Sequence, residues 1–248
     1  DSMVDTPWRE QAQWVGDVSA VTIGGVHACF GDTLLPAKFL RQAAANVLPS
    51  GLLQMITTGN VTEEGNIPDY SLWWAKAVWD HYLFAGDNSL LEALYPAAVR
   101  VIDAFGRHVN KDGLVQDMPG WVFIDWAFLD KQGQCAALNA QFYGALQAVR
   151  SMAVRLGDCG TANRLERSVR RLHASFAPRF TAPATGLIHD AYDDGRLSDR
   201  VSENSNFAAI RWNLVDDKQA DHIVRNTLVD RIDGLVEASP FYASVVLR

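Results

Sequence analysis

Cysteine is scarce in this 248-residue chain, and the three present, Cys29, Cys135 and Cys159, stand far apart. An odd number with no Cys-x-x-Cys pair and no Cys/His cluster excludes both a disulfide framework and a zinc site, and leaves buried thiols as the expectation. Long apolar runs are missing too: none approaches the roughly 20 residues a helix needs to cross a bilayer. The first residues, Asp1 to Val4, have neither the basic nor the apolar stretch of an export signal. The chain reads as beginning inside a domain, so the compartment stays open between cytoplasm and export. A basic excess is also lacking. Lys and Arg number 22 against 29 Asp and Glu, for a net charge of -7. The cations are dispersed, which argues against nucleic acid as a partner. Nor is there a linker, and with 48% apolar residues the expectation is one large core-forming domain in a soluble chain.

What is present in quantity is helical periodicity. Apolar residues recur at three and four spacing, interrupted by Gly, Pro, Asp and Asn clusters, which predicts an all-α protein. The spacing places helices over 16–30, 32–47, 69–85, 89–108, 136–156, 161–176, 205–214 and 217–228, with a last one starting near Ser239 or Pro240. Breakers fall between them: Gly31 and Asp32, Pro49 to Gly51, Gly86 to Asn88, Asn110 to Gly113, Gly157 to Gly160, and Asp193 to Gly195. The junctions at Gly86-Asp87 and Gly157-Asp158 echo each other, each followed by a helix of similar length, as repeated helical hairpins would be. The long interval from Lys111 to Gln134 carries Trp121, Asp125 and Trp126 on a loop, where sites are commonly built.

The densest chemistry lies between Asp5 and Asp17: three carboxylates (Asp5, Glu10, Asp17), Arg9, and two tryptophans, Trp8 and Trp14. Two readings fit these residues. One is a capped helix start, with Asp5 as N-cap, Pro7 in the first turn, Asp17 capping the next helix and the tryptophans buried. The other is a sugar site, in which carboxylates supply acid, base and hydroxyl-binding groups while indole faces stack on the C–H face of a pyranose. Asp69 and Asp125 likewise read either as caps or as ligands to hydroxyls. Trp73, Trp79 and Trp212, on helical stripes, are expected in the core.

The succession Asp5, Arg9, Glu10, Trp14, Gly16, Asp17 resembles the signature of the α-L-rhamnosidases among the six-hairpin (α/α)6 glycoside hydrolases. The segments from Gly65 to Trp74 and from Trp121 to Trp126 resemble that family's Pro-Asp-aromatic and Asp-Trp elements, in the right order and separation. The resemblance implies an (α/α)6 toroid that is incomplete here, residues 1–248 forming part of one catalytic domain whose other helices lie outside them. Such a partial ring would expose apolar faces and be poorly stable alone. It implies an inverting hydrolase that removes terminal α-L-rhamnose, with Glu10 as general acid. Desolvation beside indole rings is the physical means by which such an acid keeps its proton. It implies substrate-binding roles for Asp5, Arg9, Asp17, Asp69 and Asp125, and stacking roles for Trp14, Trp74 and Trp126. On a helix, the adjacent Arg9 and Glu10 would point apart.

The family's general base is a glutamate that follows a segment resembling Ala238 to Leu247, so its counterpart is expected beyond Arg248. None of Glu63, Glu64, Glu203 and Glu237 sits in that motif. The mechanism requires no cofactor, and no clustered loop of oxygen ligands suggests calcium or another metal. Two alternatives remain open on the sequence. One is an (α/α)6 enzyme for another sugar, though a uronic acid would want more cations than Arg9 in the motif. The other is a non-catalytic carbohydrate-binding module. A carbohydrate, a rhamnoside in the first reading, is the expected partner.

Overall fold

The computed structural model describes residues 2–57 and 65–246, so Glu63 and Glu64 lie outside the described residues. The first helical run begins at Trp14, with α1 (Val15–Asp17), a π-helical turn (Val18–Thr22) and α2 (Ile23–Phe30). Then come α3 (Leu34–Ala45), α4 (Pro68–Ala85), α5 (Asn88–Gly106), α6 (Ala136–Arg155) and α7 (Cys159–Phe180). They are followed by α8 (Glu203–Arg211), α9 (Asp217–Val224) with a π-helical extension (Arg225–Val229), and α10 (Pro240–Val246). Each helix predicted from periodicity has a counterpart within a few residues of its expected ends.

The ends have local causes. Asp87, Ser202 and Asp216 accept the backbone N–H of the residue three positions on, capping α5, α8 and α9. Pro68 opens α4, where its missing N–H costs nothing. Gly86 closes α4 at φ 69°, a left-handed conformation in which any other side chain would strain the backbone.

The expectation of an all-α chain holds, and one small sheet joins the helices. Three short strands form an antiparallel sheet, β1 (Gln134–Cys135), β2 (Ala191–Asp193) and β3 (Arg196–Leu197), with Cys135 opposite Ala191 and Tyr192 opposite Leu197. The Asp-Gly pair read as a helix breaker is instead a two-residue hairpin turn, with Asp194 at φ 46° and Gly195 at φ 80°. The thiols also differ from expectation: Cys135 is buried, but Cys29 and Cys159 are exposed.

Two compact units divide the chain. The first comprises residues 1–107, 119–121 and 145–166, and the second 108–118, 122–144 and 167–248, so that α6 and α7 contribute to both. In the first, α4 is the central element and packs against α1, its π-helical turn, α3 and α5. Trp74, Phe39, Leu40, Leu53, Leu90 and Phe105 fill its core. In the second, α8 packs on α10, and Phe176, Phe180 and Tyr242 are fully buried. Burial of rings this large supplies much of the apolar driving force in each unit. Among the described residues no helix is long and apolar enough to cross a membrane.

Candidate active site

Residues 5–12 form a closed loop ahead of the first helix, which overturns the capped-helix alternative. Asp5 N–H donates to the Ala12 carbonyl at 2.9 Å, and Ala12 N–H returns a bond to the Asp5 carboxylate at 3.2 Å. Inside this frame Gln11 N–H reaches the Thr6 carbonyl and Glu10 N–H the Thr6 hydroxyl, with Gln11 itself at φ 52°. Asp5 therefore clasps the two ends of a loop instead of starting a helix. Burial alone would raise its pKa, but the N–H bonds of Thr6 and Ala12, with hydroxyl and carboxyl neighbours, outweigh that and hold it below the usual carboxylate range.

The loop turns Arg9 and Glu10 toward each other, contrary to the helical expectation. Arg9 Nη2 lies 2.6 Å from Glu10 Oε1, with the Arg9 side chain 77% exposed and that of Glu10 30% exposed. The other carboxylate oxygen, Oε2, accepts the indole N–H of Trp14 at 2.7 Å. Trp14 is anchored on both sides: Val15 N–H bonds the Met55 carbonyl, Thr57 N–H bonds the Gln13 carbonyl, and Trp14 bridges Ile56.

One turn further, Asp17 ends α1 and makes no cap to the following turn. Its carboxylate accepts the Tyr70 hydroxyl at 3.2 Å. Burial raises the Asp17 pKa, the Tyr70 bond opposes that shift, and the nearby charges of Asp5 and Glu10 add to it. The π-helical turn begins at the next residue, a local widening often found beside functional residues. Tyr70 is the site residue that sequence reasoning passed over. Its ring meets Trp14 edge-on, with centroids 6.4 Å apart, and lies flat against Gly16. A Cβ at Gly16 would fall 2.2 Å from Tyr70 Cδ1, so the glycine of the motif is the space that the tyrosine ring occupies. The signal was legible as a Gly two residues after a Trp, but its partner was not.

Asp69 is fully buried in the first turn of α4, beside Tyr70, where a carboxylate complements the helix N-terminus; the N-cap is Ile67. Trp74 departs from its predicted stacking role. It has no exposed surface, and its indole N–H donates to the Leu40 carbonyl at 3.2 Å, so the ring is a core element of the first unit. Trp73 is buried as expected.

Within the second unit, Asp125 is 1% exposed and its carboxylate is fully engaged. Oδ2 accepts Asn204 Nδ2 and Ser239 N–H, both at 2.8 Å, while Oδ1 accepts Trp126 N–H at 2.8 Å and the Ser239 hydroxyl. Two oxygens offer about four acceptor positions, so none is left for a sugar hydroxyl. That corrects its expected role as a ligand: Asp125 ties the 122–130 loop to α8 and to the start of α10. The residue before it, Ile124, sits at φ 57°, a strained conformation for a β-branched side chain that this web of bonds sustains. The geometry leaves Trp126 76% exposed, its ring edge-on to Phe123 at 5.1 Å.

Of the remaining acids, Glu203 is buried and accepts Ala238 N–H at 2.9 Å, and Glu237 is exposed and paired with Arg231. Both are held by structural partners. Among the described residues no group of three or more His, Cys, Asp or Glu side chains could hold a metal ion.

Comparison with known proteins adds an independent line. The model of the bacterial alpha-L-rhamnosidase six-hairpin glycosidase domain matches residues 1–237. An alpha-L-rhamnosidase of Formosa agariphila is 19% identical over 92% of this chain and 25% of its own length. Among solved structures, a GH78 family rhamnosidase of Bacillus sp. GL1 superposes with a TM-score of 0.87 at 21% identity, over 99% of this chain and 26% of that one. A Klebsiella oxytoca rhamnosidase with rhamnose bound gives a TM-score of 0.83 at 21% identity, over 99% of this chain and 48% of its own. The chain thus spans between about a quarter and a half of these relatives.

Proposed function

The chain belongs to the bacterial alpha-L-rhamnosidase six-hairpin glycosidase family, and from that premise we propose that it carries the acid half of a site that hydrolyses terminal α-L-rhamnosides. The observation that carries the proposal is the loop 5–17, which gathers Glu10, Arg9, Trp14, Asp5 and Asp17 into one hydrogen-bonded group. Its order is that of the family signature, and a protein of the same fold was solved with rhamnose bound.

In this reading the Glu10 carboxyl gives its proton to the glycosidic oxygen as the anomeric C–O bond breaks. A water adds to the anomeric carbon from the opposite face and yields its proton to a second carboxylate. Inversion requires those two carboxyl groups to stand roughly 6.5 to 9.5 Å apart, leaving room for the water. Asp17, half-buried and oriented by Tyr70, and Asp5, at the loop closure, are the hydroxyl acceptors; Arg9 supplies exposed N–H donors. Asp69, fully buried beside Tyr70 in the first turn of α4, takes a supporting part, and Trp74 and Asp125 hold the scaffold.

The test is hydrolysis of a panel of aryl glycosides by the full-length gene product and by its Glu10→Gln variant. Cleavage of the α-L-rhamnoside, reduced at least ~100-fold in a folded variant when the leaving group is a poor one, is the expected result. Cleavage of a different glycoside would keep the acid and overturn the sugar. Binding of rhamnose without cleavage of any glycoside would make the chain a carbohydrate-binding module.

A further inference from the structure

We infer that Trp14 serves the acid and not the sugar: its indole N–H selects which oxygen of Glu10 delivers the proton. The inference rests on the assignment of Glu10 as general acid and goes one step deeper into the same loop.

An indole nitrogen can only donate, so the oxygen it faces must act as an acceptor whether or not the carboxyl is protonated. Trp14 Nε1 stands 2.7 Å from Glu10 Oε2, within the range of a strong bond to a carboxylate. The carbonyl oxygen of a protonated carboxyl is its better acceptor, so this bond favours Oε2 as the carbonyl and Oε1 as the oxygen that carries the transferable proton. That oxygen is held in this structure by Arg9 Nη2 at 2.6 Å. Arg9 thus sits on the oxygen that has to face the glycosidic oxygen, and its guanidinium must shift for Oε1 to reach it.

The two donors are unequal in freedom. Trp14 is half-buried, bridged to Ile56 and packed edge-on against Tyr70, with neighbouring backbone bonds on both sides. Arg9 is 77% exposed and lies at the tip of the loop. A long exposed side chain rearranges readily, and a surface ion pair holds it weakly. Arg9 is therefore the donor that leaves, exchanging Glu10 for substrate, while Trp14 keeps the carboxyl oriented with Oε1 toward the glycosidic oxygen. The expectation that Trp14 stacks on the sugar assigns its ring face; the geometry assigns its N–H.

The test exploits the fact that an activated leaving group departs without protonation whereas an alkoxide does not. Glu10→Gln and Trp14→Phe variants of the full-length gene product are compared with wild type on 2,4-dinitrophenyl and methyl α-L-rhamnosides. Phenylalanine keeps an aromatic face and removes the donor together with part of the ring, and the activated substrate reports any loss that comes from packing alone. If Trp14 positions the acid, W14F loses at least ~10-fold in kcat/KM on the methyl glycoside and changes by less than about twofold on the dinitrophenyl one, which also shows that the variant is folded. The same pattern, larger, is expected of E10Q. Equal losses on both substrates, with KM raised, would mean that Trp14 holds the sugar or the fold, and no loss on either would mean that its N–H is idle. Both results overturn the inference. An E10Q variant without the leaving-group signature would remove the acid assignment itself, and a wild type that cleaves neither rhamnoside would remove the functional reading. Those two failures are distinguishable from a failure at Trp14 alone.

Discussion

Gly16 and Tyr70 show how a single missing atom shapes the site. The Tyr70 ring lies where a Gly16 side chain would be, and its hydroxyl donates to Asp17 at 3.2 Å. Burial drives the phenol pKa upward, and the charge of Asp17 adds to that shift, so the hydroxyl stays a donor throughout the working range. Gly16→Ala should therefore act at two levels. The methyl group forces the ring aside, which costs about 1 to 3 kcal/mol as overpacking, and frees Asp17 from its donor. Urea unfolding is expected to give a lower midpoint with unchanged slope, and rhamnose titration a weaker affinity. Wild-type stability in this variant would show that the ring has room to retreat.

Among elements, the consequential one is the 122–130 loop, because a strained residue and an exposed tryptophan depend on one carboxylate. Asp125 satisfies backbone and side-chain donors from its own loop, from α8 and from the residue that precedes α10. Asp125→Ala leaves at least two buried or half-buried N–H groups without acceptors, each costing about 1 to 3 kcal/mol. The expected loss is roughly 3 kcal/mol in chemical unfolding, with early protection loss in hydrogen exchange at Trp126 and Ser239. A loss below about 1 kcal/mol would mean that water replaces the carboxylate and that the loop is not held by it. Helices α2 and α4 illustrate the same dependence on partners: His27 on α2 and His81 on α4 share a hydrogen bond of 3.0 Å, and Phe84 stacks on the His27 ring at 4.2 Å.

For the molecule as a whole, that histidine pair sets a pH dependence of stability. One ring must donate and the other accept, so the pair cannot be doubly charged. Burial lowers both pKa values; the charge of His27 lowers that of His81 further, to about 4 from 6.5, although Asp87 near His81, and Asp80 and Asp32 near His27, pull the other way. The native state thus binds fewer protons than the unfolded chain below pH 6.5. Stability from the pair is fully present above that pH and declines as pH falls toward about 4, by on the order of 2 kcal/mol. Urea midpoints measured from pH 7.5 to 4.5 should fall for wild type and fall less steeply for His81→Phe. Parallel slopes in the two proteins would show that carboxylates elsewhere govern the acid limb.

The primary sequence by itself determined the helices, because amphipathic spacing, capping side chains and left-handed glycines act within a few residues of one another. It also carried the order Asp5, Arg9, Glu10, Trp14, Gly16, Asp17, whose resemblance pointed to the family that the match over residues 1–237 shows. The three-stranded sheet was less legible, since its strands are two or three residues long and an Asp-Gly pair serves a hairpin as well as a helix end. What only the tertiary structure decided is which atoms face one another. That residues 5–12 close on themselves, that Trp74 meets Leu40, that Tyr70 holds Asp17 across 53 positions and that Asp125 answers Ser239 across 114 are set by packing between distant segments. A carboxylate or an indole has the same local signature whether it caps, packs or binds. Its partners, which chain folding brings together only in three dimensions, decide among the three.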